Sequence, residues 1–132
     1  LAALMPVVAL VGGNSGAQSL AIVIRALARN DISEARVFEV IGKQSFIGVV
    51  NGLFIGVLSF ILLSATGLNS YALTLSIAVF GNIFIGNLFG SSIPLVLRKL
   101  GFDPALASNI FLTLVTDIVG FAGFLGIALL LI

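Results

Sequence analysis

Four times in this chain the residues stay apolar for long enough to cross a lipid bilayer. The stretches run from about Ala2 to Ala28, Gln44 to Ser64, Tyr71 to Leu97, and from the Asp103-Pro104 pair to Ile132. A helix needs about 20 such residues to span the hydrocarbon core. Four crossings with short connections use nearly all of the 132 residues. A membrane β-barrel would instead show alternating segments of roughly 10 residues. Only 8% of the residues are charged, where a soluble domain carries about 25%, so the chain cannot cover itself with a water-soluble surface. The expected fold class is therefore all-α integral membrane. Residues 1–132 form a single transmembrane domain, a polytopic helical bundle with four transmembrane helices at about 2–28, 44–64, 71–97 and 104–132.

The residues that are missing narrow the chemistry. There is no cysteine and no histidine, which excludes thiolate and imidazole metal sites, haem ligation by histidine and histidine acid–base catalysis. No catalytic pair of titratable groups lies within one segment, so an enzyme is not expected. A net charge of +1 and scattered basic residues offer no surface for nucleic acid. The chain begins at Leu1, and its first apolar stretch lacks the basic start of a signal peptide. It is expected to be a piece of something longer.

The charges sort by side. Arg25, Arg29, Asp31, Glu34, Arg36, Glu39 and Lys43 cluster around the first connection, and Arg98, Lys99 and Asp103 around the third. The second connection, Ala65–Ser70, has none. Every Lys and Arg thus falls on one side, which the positive-inside rule makes cytoplasmic. The expected location is the cell (plasma or inner) membrane, multi-pass, with both ends of the chain outside. An external amino end suggests a preceding span; the alternative is that the chain inserts as it stands. Within the first connection, Ile32, Val37, Val40 and Ile41 have the spacing of an interfacial amphipathic helix at about 31–42; a solvated loop is the alternative.

One charge lies deep. Asp103-Pro104 reads as a helix start, with aspartate as N-cap and proline in the first turn. Asp117 follows Pro104 by 13 residues, about 20 Å of helix, which places it near or just past mid-membrane. No Lys or Arg shares that depth. A buried charge there is costly and usually faces a protein or water-filled interior. Asn109, Thr113 and Asp117 are spaced i, i+4, i+8 and share a helical face, with Thr116 and Gly120 beside it. The stripe resembles one wall of an aqueous path. The alternative is a protonated Asp117 hydrogen-bonded to a neighbouring helix.

The first segment carries a second polar run, Gly12, Gly13, Asn14, Ser15, Gly16, Ala17, Gln18 and Ser19. Its glycines permit close helix approach or a loosened backbone lining a cavity; Asn14 and Gln18 add amide oxygens at i, i+4. In the middle segments Gly48, Gly52 and Gly56, and likewise Asn82, Gly86 and Gly90, recur every four residues as packing faces. Asn51 and Asn87 are expected to be interhelical hydrogen-bond partners. Pro94 is expected to bend its helix, with Ser91 or water satisfying the freed carbonyl.

One carboxylate among neutral oxygens suits a hard cation. Mg²⁺ keeps several of its waters, and a wide path with few carboxylates could hold it through them. Two copies related by a two-fold axis would bring two Asp117 carboxylates together. The expected assembly is a homodimer with a central pore lined by the first and fourth segments, passing divalent cations down the electrochemical gradient into the cytoplasm. The alternatives are a secondary cation transporter coupled to H⁺ or Na⁺, and a non-conducting interaction subunit.

GGNSGAQS at Gly12–Ser19, IRALARNDI at Ile24–Ile32, PLVLRKLGFDPALASNIF at Pro94–Phe111 and TDIVGF at Thr116–Phe121 together resemble the MgtE family of magnesium channels. The likeness is dense at both ends of the chain and loose between. It implies a homodimer with five helices per subunit, of which the first is missing here, and a missing cytoplasmic sensor region with paired CBS domains. It implies that Asp117 binds hydrated Mg²⁺ with help from the Thr113 backbone carbonyl, and that Asn109 lies further toward the cytoplasm. On the first segment Gly13, Asn14, Gly16 and Gln18 match the family's run. The chain departs at Ala17, where many relatives carry Asn, and at Thr113, where they carry small residues. The second departure bears on pore width and so on selection among Mg²⁺, Mn²⁺ and Co²⁺.

Overall fold

A computed structural model describes all 132 residues. Four helices account for most of the chain: α1 Met5–Ala28, α2 Val37–Ser64, α3 Asn69–Lys99 and α4 Pro104–Leu131. Each lies within a stretch long and apolar enough to cross a membrane. Short 3-10 turns precede α1 (Ala2–Leu4) and α2 (Glu34–Arg36). The separate interfacial helix expected over 31–42 does not form. That segment is divided among coil, the 3-10 turn and the start of α2, which runs unbroken into its span. Nothing between Val37 and Gln44 interrupts helical backbone: there is no proline, and Gly42 is exposed.

Local chemistry sets the helix ends. The Asp103 side chain accepts a hydrogen bond from the Ala105 N–H at 3.0 Å, capping α4. Asn30 closes α1 in a left-handed conformation (φ 57°). The Asn30 and Asp31 amides then return to the Leu27 and Ala26 carbonyls at 3.1 and 3.0 Å, which satisfies two orphan carbonyls at once. Gly101 does the same for α3 at φ 85°, with Gly101 and Phe102 donating to Arg98 and Leu97.

α3 is the centre of the bundle and packs on the other three helices, while α2 rests almost wholly on α3. At the end away from the charged connections, Val8, Leu75, Ala78, Val79, Ile83 and Phe124 form the main apolar core. Val23, Leu27, Ile32 and Leu95 form a smaller one at the charged end. Outward-facing residues such as Phe46, Leu53, Phe54, Ile110, Leu114 and Ile118 are large, apolar and exposed. Lipid is as apolar as they are, so burial does not drive the helices together; close packing and hydrogen bonds do.

Both devices are visible. A Cβ on Gly90 would collide with the backbone oxygen of Gly16, and one on Gly86 with that of Gly12, so α1 and α3 touch backbone to backbone. Gly48 sits against Asn87, Gly52 against Phe80 and Gly56 against Ser76 along α2 and α3. Within this contact the Ser19 hydroxyl lies 2.9 Å from Gln44 Oε1 and 2.6 Å from Asn87 Oδ1. Asn87 Nδ2 donates to Ser15 Oγ at 2.6 Å. One buried polar cluster thus joins α1, α2 and α3. Asn82, 2% exposed, donates to the Val8 carbonyl at 2.9 Å and abuts both Gly12 and Gly120, joining α1, α3 and α4.

Two expectations about single residues are corrected. Asn51 faces outward, exposed, because Gly48, Gly52 and Gly56 turn toward α3 and Asn51 lies off that face. Ser91 does not serve the carbonyl freed by Pro94. Its hydroxyl donates instead to Asn87 and Leu88 at 2.9 and 3.0 Å, and α3 continues through the proline to Lys99.

Candidate functional site

α1 and α4 pack against each other as well as against α3, and side chains from both line an open groove of about 630 Å³. The two helices run antiparallel, with Ala9 beside Gly120 and Gly13 facing Thr116. From α4, Asn109, Thr113, Thr116 and Asp117 line the groove; from α1, Gly13, Asn14 and Ala17. Pro6, Leu10 and Phe121 close one end with apolar surface. The i, i+4, i+8 spacing of Asn109, Thr113 and Asp117 is what puts all three on the same wall.

Asp117 is half-buried and is the only charged residue lining this groove. The sole ion pair in the chain is the exposed Arg36–Glu39 contact at 3.4 Å, so Asp117 has no basic partner from this chain. No group of three or more acidic, histidine or cysteine residues converges anywhere. The donor set is one carboxylate, the amides of Asn14 and Asn109, and the Thr113 hydroxyl. These are hard oxygen donors, too few to strip a small divalent cation but suited to receiving hydrogen bonds from its waters. The Thr113 carbonyl has the Thr116 hydroxyl 3.2 Å away. That hydroxyl points into its own helix, also donating to Leu112 at 3.0 Å, and is buried.

Four residues expected along the path sit elsewhere. Gly12 and Gly16 are buried against α3, beneath Asn82 and Gly86. Gly120 is buried against Asn82 and Ala9. All three serve helix contact, because a small residue on the face turned toward α3 lets the backbones close. Gln18 is exposed but does not line the groove, where its neighbour Ala17 stands instead. The sequence reading did not single out Ser15, Ser19 and Gln44 as hydrogen-bonded partners. Serine and glutamine in an apolar segment are a signal for an interhelical bond, but the partner helix is not written in the spacing.

The chain is similar to known transport proteins along nearly its whole length. The family model MgtE, described as a divalent cation transporter, matches residues 5–127. The magnesium transporter MgtE of Thermus thermophilus is 36% identical over 135 residues, covering 100% of this chain and 29% of that protein. The magnesium transporter MgtE of Bacillus subtilis is 35% identical over 132 residues, 97% of this chain and 29% of its own length. That of Enterococcus faecalis is 34% identical over 119 residues, 89% and 26% respectively. The chain spans less than a third of the length of these relatives. With the four membrane-length helices, these matches make it a multi-pass membrane protein rather than an enzyme: the chain belongs to the MgtE family of divalent cation transporters.

Proposed function

We propose that this chain is the ion-conducting part of a Mg²⁺ channel. Hydrated Mg²⁺ passes down its electrochemical gradient into the cytoplasm through a pore between two copies, lined by α1 and α4. The observation that carries this reading is Asp117, an acidic side chain within a membrane-length helix, without a basic partner and facing a groove that Asn14, Asn109 and Thr113 also line. The groove is open along one side, and a two-fold partner would close it and double the negative charge. Asp117 would attract the ion, and the Thr113 carbonyl would accept hydrogen bonds from its waters. Asn109, Asn14 and Gly13 would line the approach. Mn²⁺ and Co²⁺, of similar size and hardness, are further cargo to be tested. The lopsided distribution of Lys and Arg supports cytoplasmic placement of the first and third connections. An inside-negative potential then favours inward movement of a divalent ion by roughly 4.6 kcal/mol per 100 mV.

Mg²⁺ uptake into liposomes bearing the intact protein tests this. The wild type carries Mg²⁺ without a proton gradient, and Asp117→Ala reduces uptake to background. Unchanged uptake in Asp117→Ala would remove the assigned role. Obligatory coupling to a proton or sodium gradient would favour the secondary-transporter reading.

A further inference from the structure

The groove continues past Asn109. Ala17 and Asn109 also bound a second stretch of about 500 Å³, which runs between α1 and α4 to Arg25 and Ala105. Arg25 is exposed, and no acidic residue lines this stretch. Asp31, the nearest acid in sequence, lines a different pocket beside Arg36 and Lys43. The Asp103 carboxylate, which keeps its charge while capping α4, neither lines this stretch nor pairs with Arg25. Asn14, which shares the Asp117 stretch, precedes Arg25 by 11 residues, about 16 Å of helix. One groove therefore carries an unpaired negative charge at depth and an unpaired positive charge at its charged-loop end.

We propose that Arg25 sets an electrostatic barrier at the inner mouth, so that the path admits divalent cations from outside far more readily than from the cytoplasm. This inference rests on the channel reading above. Charged side chains at a constriction set ion selectivity, and low-dielectric walls focus their field. The barrier grows with the charge of the ion. A potential of about one kT at the mouth lowers entry of a monovalent cation about 2.7-fold and of a divalent cation by the square of that, about 7-fold. Asp117 at depth attracts ions from both sides alike; Arg25 makes the two sides unequal. An arginine that merely anchors the helix end at the interface would produce no such dependence on ionic charge.

Currents through the intact protein in planar bilayers decide the matter, recorded in symmetrical Na⁺ and then in symmetrical Mg²⁺. In Arg25→Gln the ratio of outward to inward current is expected to rise about 2.7-fold for Na⁺ and about 7-fold for Mg²⁺, and both changes shrink at high ionic strength. Arg25→Lys keeps the wild-type ratio. Arg29→Gln removes the same charge from the same membrane face but outside the groove lining, and is expected to change the ratio less than half as much. The proposal falls if Arg25→Gln leaves the ratio unchanged in a conducting protein, if Na⁺ and Mg²⁺ change by the same factor, or if Arg29→Gln matches it. A wild type that passes no current would overturn the channel reading itself, and this proposal with it.

Discussion

Replacing Gly90 by alanine adds one methyl group at the point where α3 meets the backbone of α1. A Cβ there would overlap the Gly16 carbonyl oxygen, with the Gly16 Cα 3.2 Å away. No rotamer change relieves a clash with backbone, so the helices must separate. Overpacking of this kind costs about 1–3 kcal/mol. Separation also stretches the Ser19–Asn87 and Asn87–Ser15 hydrogen bonds, 2.6 Å each, worth about 0.6 kcal/mol apiece in membrane interiors. Alanine returns about 0.5–1 kcal/mol of helix propensity. The net is a loss of about 2 kcal/mol. Gly126 is the matched control, because nothing lies within 4 Å of its Cβ position; Gly126→Ala should be neutral or slightly stabilising. Reversible unfolding in mixed detergent micelles measures both. Gly90→Ala as stable as wild type, or Gly126→Ala equally damaging, would refute the claim that backbone contact between α1 and α3 holds the bundle.

Other outcomes follow from the same contacts. Ser19→Ala removes the single hydroxyl proton shared by the Gln44 and Asn87 side-chain oxygens and should cost about 1–2 kcal/mol in the same assay, whereas Asn51→Ala on the outward face should change stability by less than about 0.5 kcal/mol. Asp103→Ala removes the α4 cap and should cost about 1 kcal/mol, with faster hydrogen exchange at Ala105 and the first turn of α4. Asp117→Asn keeps the size of the side chain and loses its charge, so block of monovalent current by Mg²⁺ should weaken; block of undiminished strength would contradict the role proposed for the carboxylate.

Much of the architecture follows from local rules. Four apolar runs become four helices because a backbone in lipid must satisfy its own hydrogen bonds. Asp103-Pro104, Asn30 and Gly101 mark helix ends because only certain residues suit a cap or a left-handed turn. The face shared by Asn109, Thr113 and Asp117 follows from helical periodicity alone. The interfacial segment fails the same test: amphipathic spacing near Val37 and Val40 is compatible with a surface helix and with the first turns of a span, and spacing cannot choose between them.

Which face of a helix meets which neighbour is a different kind of fact. Gly12, Gly13, Asn14 and Gly16 are consecutive or nearly so, yet Gly12 and Gly16 are sealed against α3 while Gly13 and Asn14 open on the groove. A glycine serves equally as a packing contact and as a pore wall, and its own sequence neighbourhood carries no preference. The sequence by itself determined that this chain forms four helices long and apolar enough to cross a membrane, with one acidic residue in the middle of the last, because lipid solvation and helical pitch act on each segment separately. Tertiary structure alone decided that α3 stands at the centre, that Asn82 and the Ser19 cluster lock the other helices to it, and that Asp117 faces a groove continuous with Arg25. Those outcomes depend on surfaces from different segments fitting together, and the fit is a property of pairs that no single segment contains.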